Sequence, residues 1–181
     1  LFAFNYLKRF QKSFVSFVVE KIYRMKTLTI FLFLMLVPCF CLSQIKTGTF
    51  SDLEIWQKEN PKPAIIHIYT SWCSVCKIES FELNKDKELA QLINNNFYFI
   101  NFEAEKTKEK IRFQGKEFEY LPNGNSGIHE LVLALSKNKK QPVYPLWIVL
   151  DKNMNLIEYH EGKFNPYQLK INLKEICSSQ N

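Results

Sequence analysis

Glycine is scarce in this chain, five of 181 residues, which is few for a fold with many tight turns. Long apolar runs are missing as well. The apolar segment at residues 28–42 is interrupted by Pro38 and falls short of the ~20 residues a membrane-spanning helix needs. There is no internal repeat and no low-complexity linker. There is only one Cys-x-x-Cys and no His-x-x-His, so a closed tetrahedral zinc site lacks its ligands. Hydrophobic residues make up 46% of the chain and aromatics 15%, enough for a core and too many for a disordered chain.

A surplus of one charge is absent too, once the chain is divided. The net charge is +6, but residues before Gln44 carry six of the 24 Lys/Arg and one of the 18 Asp/Glu. The remainder is nearly neutral, which gives no support for nucleic-acid binding by a folded domain.

The basic surplus belongs to a leader. Met25-Lys26 opens it, an apolar stretch follows from Leu28, Pro38 breaks that stretch, and Cys41-Leu42-Ser43 supplies the small residues a signal peptidase reads. The expectation is a signal peptide at 25–43 and a mature domain at 44–181, periplasmic after secretion across the inner membrane, or membrane-anchored if the signal is retained. Pro38 and Phe40 precede Cys39 and Cys41 where a lipoprotein signal needs a small residue. Residues 1–24 are a doubtful upstream extension, because Met25 opens a complete signal by itself. Cleavage leaves Cys73, Cys76 and Cys177, an odd number. Cys177 falls on the apolar stripe Leu169, Leu173, Ile176 of a C-terminal helix and reads as a small core residue.

The chemistry concentrates at Trp72-Cys73-Ser74-Val75-Cys76-Lys77, directly after the apolar run at 64–69. A buried strand leading into Cys-x-x-Cys at a helix start places one sulfur among unpaired N–H groups that favour a thiolate. The second sulfur follows three residues later on the same helix face, within reach of a short cyclic disulfide.

Around this motif the pattern predicts a helix at 52–59 capped by Ser51-x-x-Glu54, a central strand at 64–70, and a helix from Cys73 carrying Val75, Ile78, Phe81 and Leu83. A helical piece at 87–93 and an aromatic-rich strand at 97–102 follow. Next come a hairpin turning at Gln114-Gly115, a loop at 122–127 and a helix at 128–137. Strands at 146–150 and 156–160 flank a turn at 151–153, and a helix from Pro166 to Cys177 ends the domain.

This order and these motifs resemble the thioredoxin-like superfamily over residues 50–177, and within it the secreted or periplasmic group that includes the C-terminal domain of membrane thiol–disulfide interchange proteins. The features that carry the resemblance are Trp72 before the first cysteine, Lys77 after the second, the apolar strand before them, and Pro145 opening a later apolar strand that ends at Asp151. The resemblance implies an α/β thioredoxin fold, a central mixed sheet flanked by helices, with a hairpin and loop insertion at about 104–127. It implies a cis Tyr144–Pro145 bond and a thiol–disulfide oxidoreductase acting on protein disulfides. Cys73 is then the exposed nucleophile and Cys76 the resolving thiol. Trp72, Tyr144 and Pro145 hold the substrate, no cofactor is needed, and a membrane electron donor supplies reducing equivalents. The motif itself leaves the redox direction open.

Two positions depart from the family pattern. Ser74-Val75 replaces Gly-Pro between the cysteines, a dipeptide that tunes thiolate stability. His67 stands six residues before Cys73, where thioredoxins carry a buried acid. It is either a proton acceptor for Cys76 or a core histidine with its hydrogen bonds satisfied. Two other readings remain: Cys73 and Cys76 joined by His67, His129 or His160 around copper or zinc, and a non-catalytic binding module whose disulfide is structural.

Overall fold

The computed structural model describes residues 20–26, 44–138 and 141–179. Most of the predicted leader and upstream extension lies outside these residues. Residues 20–26 are helical, and no described helix is long and apolar enough to cross a membrane.

The domain is organised on four strands, β1 (Ala64–Tyr69), β2 (Tyr98–Glu103), β7 (Leu146–Leu150) and β8 (Leu156–Glu161), in the order β2-β1-β7-β8. β1 pairs parallel with β2 and antiparallel with β7, and β7 pairs antiparallel with β8. β1 and β7 are central and covered on both faces, hence the near-continuous apolar runs of their sequences. Helices α1 (Phe50–Glu59), α2 (Ser74–Lys85), α3 (Lys87–Asn96), α4 (Glu130–Leu135) and α5 (Pro166–Ser179) complete the layers.

Alternation along the strands sorts the core into two clusters. Ile66, Ile68 and Ile148 pack with Phe50, Leu53, Phe113, Leu131 and Val132. Ile65, Trp147 and Val149 pack on the other face with Leu83, Leu89, Ile93, Leu169 and Leu173 from α2, α3 and α5. His67 shares the parity of Ile65, so the pleat turns it toward this second, helix-covered face, where its ring lies 4.4 Å from that of Trp147.

Several expectations change. α1 begins at Phe50, and its capping box is Thr49 with Asp52, not Ser51 with Glu54. Thr49 Oγ1 accepts the Asp52 N–H at 3.1 Å, and Asp52 Oδ2 accepts the Thr49 N–H at 2.8 Å. In α2 only Leu83 of the four predicted apolar positions turns inward; Val75, Ile78 and Phe81 are exposed and the buried face is Cys76, Glu79 and Leu83.

The hairpin at Gln114-Gly115 is present as β3 (Ile111–Phe113) and β4 (Lys116–Phe118). Residues 122–127 are not an open loop. β5 (Tyr120–Asn123) and β6 (Ser126–His129) form a second hairpin turning at Gly124-Asn125. Pro122 is tolerated because the pair is an isolated two-stranded ribbon, all edge. This second hairpin takes Ile128 and His129, so α4 is shorter than the predicted 128–137 helix.

Candidate active site

The sheet delivers the two cysteines to the C-terminal end of β1. After Tyr69 the chain makes a tight turn, with Cys73 N–H donating to Thr70 O at 3.1 Å. Cys73 is the N-cap of α2: its backbone is extended, and its Sγ accepts the Cys76 N–H at 3.1 Å. An N-cap side chain that accepts a helix-terminal N–H is the position where a thiolate gains most. Cys73 and Cys76 are joined in a disulfide with their Cα atoms 5.3 Å apart. Cys73 is less exposed than the sequence suggested, at 6%, but remains the more accessible sulfur residue, since Cys76 is at 1%.

Trp72 is 63% exposed beside this pair. Its indole N–H donates to Glu105 Oε2 at 2.8 Å, and its ring meets that of Tyr144 edge-on with centroids 6.2 Å apart. The Tyr144–Pro145 bond is cis. The aromatic contact brings the segment before β7 against the residue before Cys73. The Tyr144 hydroxyl is buried with no hydrogen-bond partner among the described residues. Burial, then the charges of Glu105 and Glu103, push this phenol far above its ordinary value. Glu103, at the end of β2, fixes the active-site loop: Oε1 accepts the Ser71 N–H at 2.9 Å, while Oε2 accepts the N–H groups of Glu105, at 2.9 Å, and Lys106.

On the buried face of α2, one turn beyond Cys76, lies a polar cluster. Glu79 is fully buried and His67 is 2% exposed. Glu79 Oε2 lies 3.0 Å from His67 Nε2; Glu79 Oε1 accepts the Trp147 indole N–H at 3.1 Å and the Phe164 backbone N–H at 2.7 Å. Three donors around one carboxylate satisfy a charge that would otherwise be expensive to bury. His67 Nδ1 faces Asn101 Oδ1 at 2.8 Å. An imidazolium donates to both oxygens; a neutral ring keeps both contacts once the Asn101 amide is turned over. A cavity of about 120 Å³, lined in part by His67, Ser80, Asn84, Asn101 and Thr47, opens beside the ring.

The structure thus brings Trp72, Cys73, Cys76, Tyr144 and Pro145 to one rim and sets His67 in the core below. The other histidines lie elsewhere. His129 caps α4 and reaches Glu109 O at 3.0 Å, and His160 stacks on Phe164 at 3.9 Å. Among the described residues no group of three His, Cys, Asp or Glu side chains is placed to hold a metal ion. Cys177 is a free thiol, half-buried against the second core cluster, its pKa raised by burial.

Glu79 and Glu105 escaped the sequence reading. Glu79 had a usable signal: it follows Cys76 by three residues and precedes Leu83 by four, so any helix that buries Cys76 buries Glu79 with it. The apolar residues Val75, Ile78 and Phe81 pointed to the wrong face. Glu105 has no local signal, because it lies 33 residues from Trp72 and meets it only through the β1–β2 pairing.

No family model matches the chain, and no curated protein does. Solved structures match. A thioredoxin from Thermus thermophilus aligns over 76% of this chain and 91% of its own, with a TM-score of 0.53 at 11% identity. A thioredoxin-fold protein from Helicobacter pylori aligns over 65% and 70%, with a TM-score of 0.47 at 20% identity. The DsbH oxidoreductase aligns over 72% and 85%, with a TM-score of 0.49 at 12% identity. At such identities likeness speaks to architecture alone, and on the match to the Thermus thermophilus thioredoxin, with the strand order and pairing above, the chain has the thioredoxin fold.

Proposed function

We propose that the protein is a thiol–disulfide oxidoreductase that exchanges disulfides with protein substrates through Cys73 and Cys76, working as a reductase in the cell envelope. The observation that carries this reading is the Cys73–Cys76 disulfide at the N-cap of α2, directly after Trp72, whose ring meets Tyr144 of the cis Tyr144–Pro145 segment.

In the reducing direction the pair starts as a dithiol. The Cys73 thiolate attacks one sulfur of a substrate disulfide. That S–S bond breaks, the second substrate sulfur leaves as a thiolate and takes a proton, and a mixed disulfide remains. The Cys76 thiol loses its proton and attacks Cys73 Sγ. The substrate's remaining sulfur leaves, and two electrons have passed from the pair to the substrate. The Cys76 N–H that Cys73 Sγ accepts now, at 3.1 Å, also favours the Cys73 thiolate in the dithiol state.

Glu79 lies one helical turn beyond Cys76, and with His67 it forms the buried proton acceptor for the resolving step. Trp72 shields the mixed disulfide, and Tyr144 and Pro145 receive the substrate chain. Lys77 is exposed and reads as a solvated lysine. The envelope location rests on the leader pattern at 25–43. In an oxidising compartment a dithiol donor must restore the pair after each turnover, and a membrane electron donor meets that need.

The test is trapping. Cys76→Ser should accumulate mixed disulfides with envelope proteins, and Cys73→Ser should neither trap partners nor reduce insulin with dithiothreitol. If the two variants behave alike, the assigned roles are wrong.

A further inference from the structure

The rim beside the disulfide carries an acceptor that no described donor meets, Glu105 Oε1. Glu103 and Glu105 are close enough for Glu103 Oε2 to accept the Glu105 N–H at 2.9 Å. Neither carboxylate has an ion-pair partner among the described residues, although ion pairs form elsewhere on the domain, at Lys163–Glu82 and Lys170–Asp86. Of the lysines that follow them in sequence, Lys108 sits over the Tyr120 ring, and Lys106 reaches Glu103 through its backbone N–H. Glu105 spends Oε2 on the Trp72 indole N–H, and no described donor meets Oε1. The Tyr144 hydroxyl is buried and unpartnered in the field of the same two carboxylates. Trp72 adds a third element, an indole that is 63% exposed at the same place.

An open oxygen on Glu105 and an exposed indole on Trp72, the residue before Cys73, with the Glu103 carboxylate behind them held by backbone N–H groups alone, form the surroundings that a donor-only cation completes. A guanidinium or ammonium group has no acceptor and up to five donors. It is attracted by the indole face and pairs with a carboxylate. An anionic group there would meet like charge at close range.

We infer that this rim selects substrates carrying a basic residue beside the disulfide to be reduced, with Glu105 as the specificity-determining residue. The inference rests on the oxidoreductase reading and deepens it. The substrate is a protein or peptide whose reactive cysteine is flanked by Arg or Lys, and the side chain lies over Trp72 toward Glu105.

The experiment uses the 181-residue chain with dithiothreitol as the reductant. The substrates are three peptides, each closed by one disulfide, that differ only in an Arg, Ala or Glu next to the attacked cysteine. Each enzymatic kcat/KM is divided by the rate at which dithiothreitol alone reduces that peptide, which removes the intrinsic effect of the charge on the disulfide. The Arg peptide should exceed the Glu peptide by about 5-fold, the scale of a partly exposed charge pair. In Glu105→Gln the ratio should fall toward one, and in Glu105→Lys it should invert. Because Gln keeps an acceptor for Trp72, a variant that slows all three peptides equally with the ratio intact assigns Glu105 to holding Trp72 and overturns the inference. A ratio near one in the unsubstituted protein also overturns it, with the oxidoreductase reading still standing. Failure to reduce any peptide removes that reading, and the selectivity with it.

Discussion

Glu79 Oε2 and His67 Nε2 meet at 3.0 Å, with both side chains sealed from solvent. The pair spans two elements: His67 is on the central strand that leads to the disulfide, and Glu79 is on the helix that the disulfide caps. Trp147 and Phe164 donate to the same carboxylate, so one side chain ties β1, β7, α2 and the approach to α5 together. Glu79→Ala would strand three buried donors and should cost about 3–5 kcal/mol in urea unfolding. Glu79→Gln keeps an acceptor for Trp147 and Phe164 and should cost less, about 1–3 kcal/mol. Equal losses would mean that the carboxylate merely fills space.

His67→Ala addresses chemistry. With His67 and Glu79 taking the Cys76 proton, the variant should leave the attack of Cys73 on substrate near its normal rate. It should slow release of the mixed disulfide by about 100-fold, the low end of what a positioned base contributes. Single-turnover measurements from about pH 6 to pH 8 check this, and an unchanged release rate across that range would return His67 to a purely structural role.

The second hairpin is held shut by a close approach that only glycine permits. A Cβ on Gly127 would collide with the Tyr120 side chain and lie 2.5 Å from Leu121 O. Gly127→Ala should therefore destabilise the domain by about 1–3 kcal/mol, the usual range for overpacking against backbone, read from the urea midpoint at constant slope. No change would mean that the hairpin opens without consequence for the rest of the domain.

Acid should weaken the junction of α3 and α5. Asp86 caps α3 by accepting the Leu89 N–H at 2.9 Å and pairs with Lys170 at 2.9 Å. Burial works to raise its carboxyl, but the bonds from Lys170 and the Leu89 N–H outweigh it and hold the group below its ordinary value. A carboxyl depressed in the folded state contributes stability above its unfolded value of about 3.9. That contribution is lost as pH falls through the folded value. The Tm of the unsubstituted protein should fall more steeply below about pH 4 than that of Lys170→Met, which lacks the ammonium. Parallel curves would show that this pair adds nothing.

Local patterns in the sequence carried the strand–Cys-x-x-Cys–helix unit, the β7–β8 hairpin and the first insertion hairpin, because each declares itself within a dozen residues. The second hairpin was hidden by Pro122, Gly124 and Gly127, whose composition reads as loop although the strands hold Pro122 and Gly127 and the turn holds Gly124. The face of α2 was misjudged because Val75, Ile78 and Phe81 are apolar yet exposed, and the face is decided instead by Cys76 having to reach Cys73. In the site, the residues contiguous with the motif were legible. Glu105 was not, because it reaches Trp72 only through sheet pairing. The role of Glu79 was not either, because its three donors come from β1, β7 and the start of α5.

The measurement that bears most directly on the central claim is the redox equilibrium of Cys73 and Cys76, followed by thiol alkylation across dithiothreitol and glutathione buffers. The account predicts one reversible two-electron transition, near the ~−270 mV of thioredoxin if the protein works as a reductase and well below the ~−120 mV of a dedicated oxidant. A pair that stays oxidised, or stays reduced, across that whole span cannot cycle with protein substrates, and such a result would contradict the account.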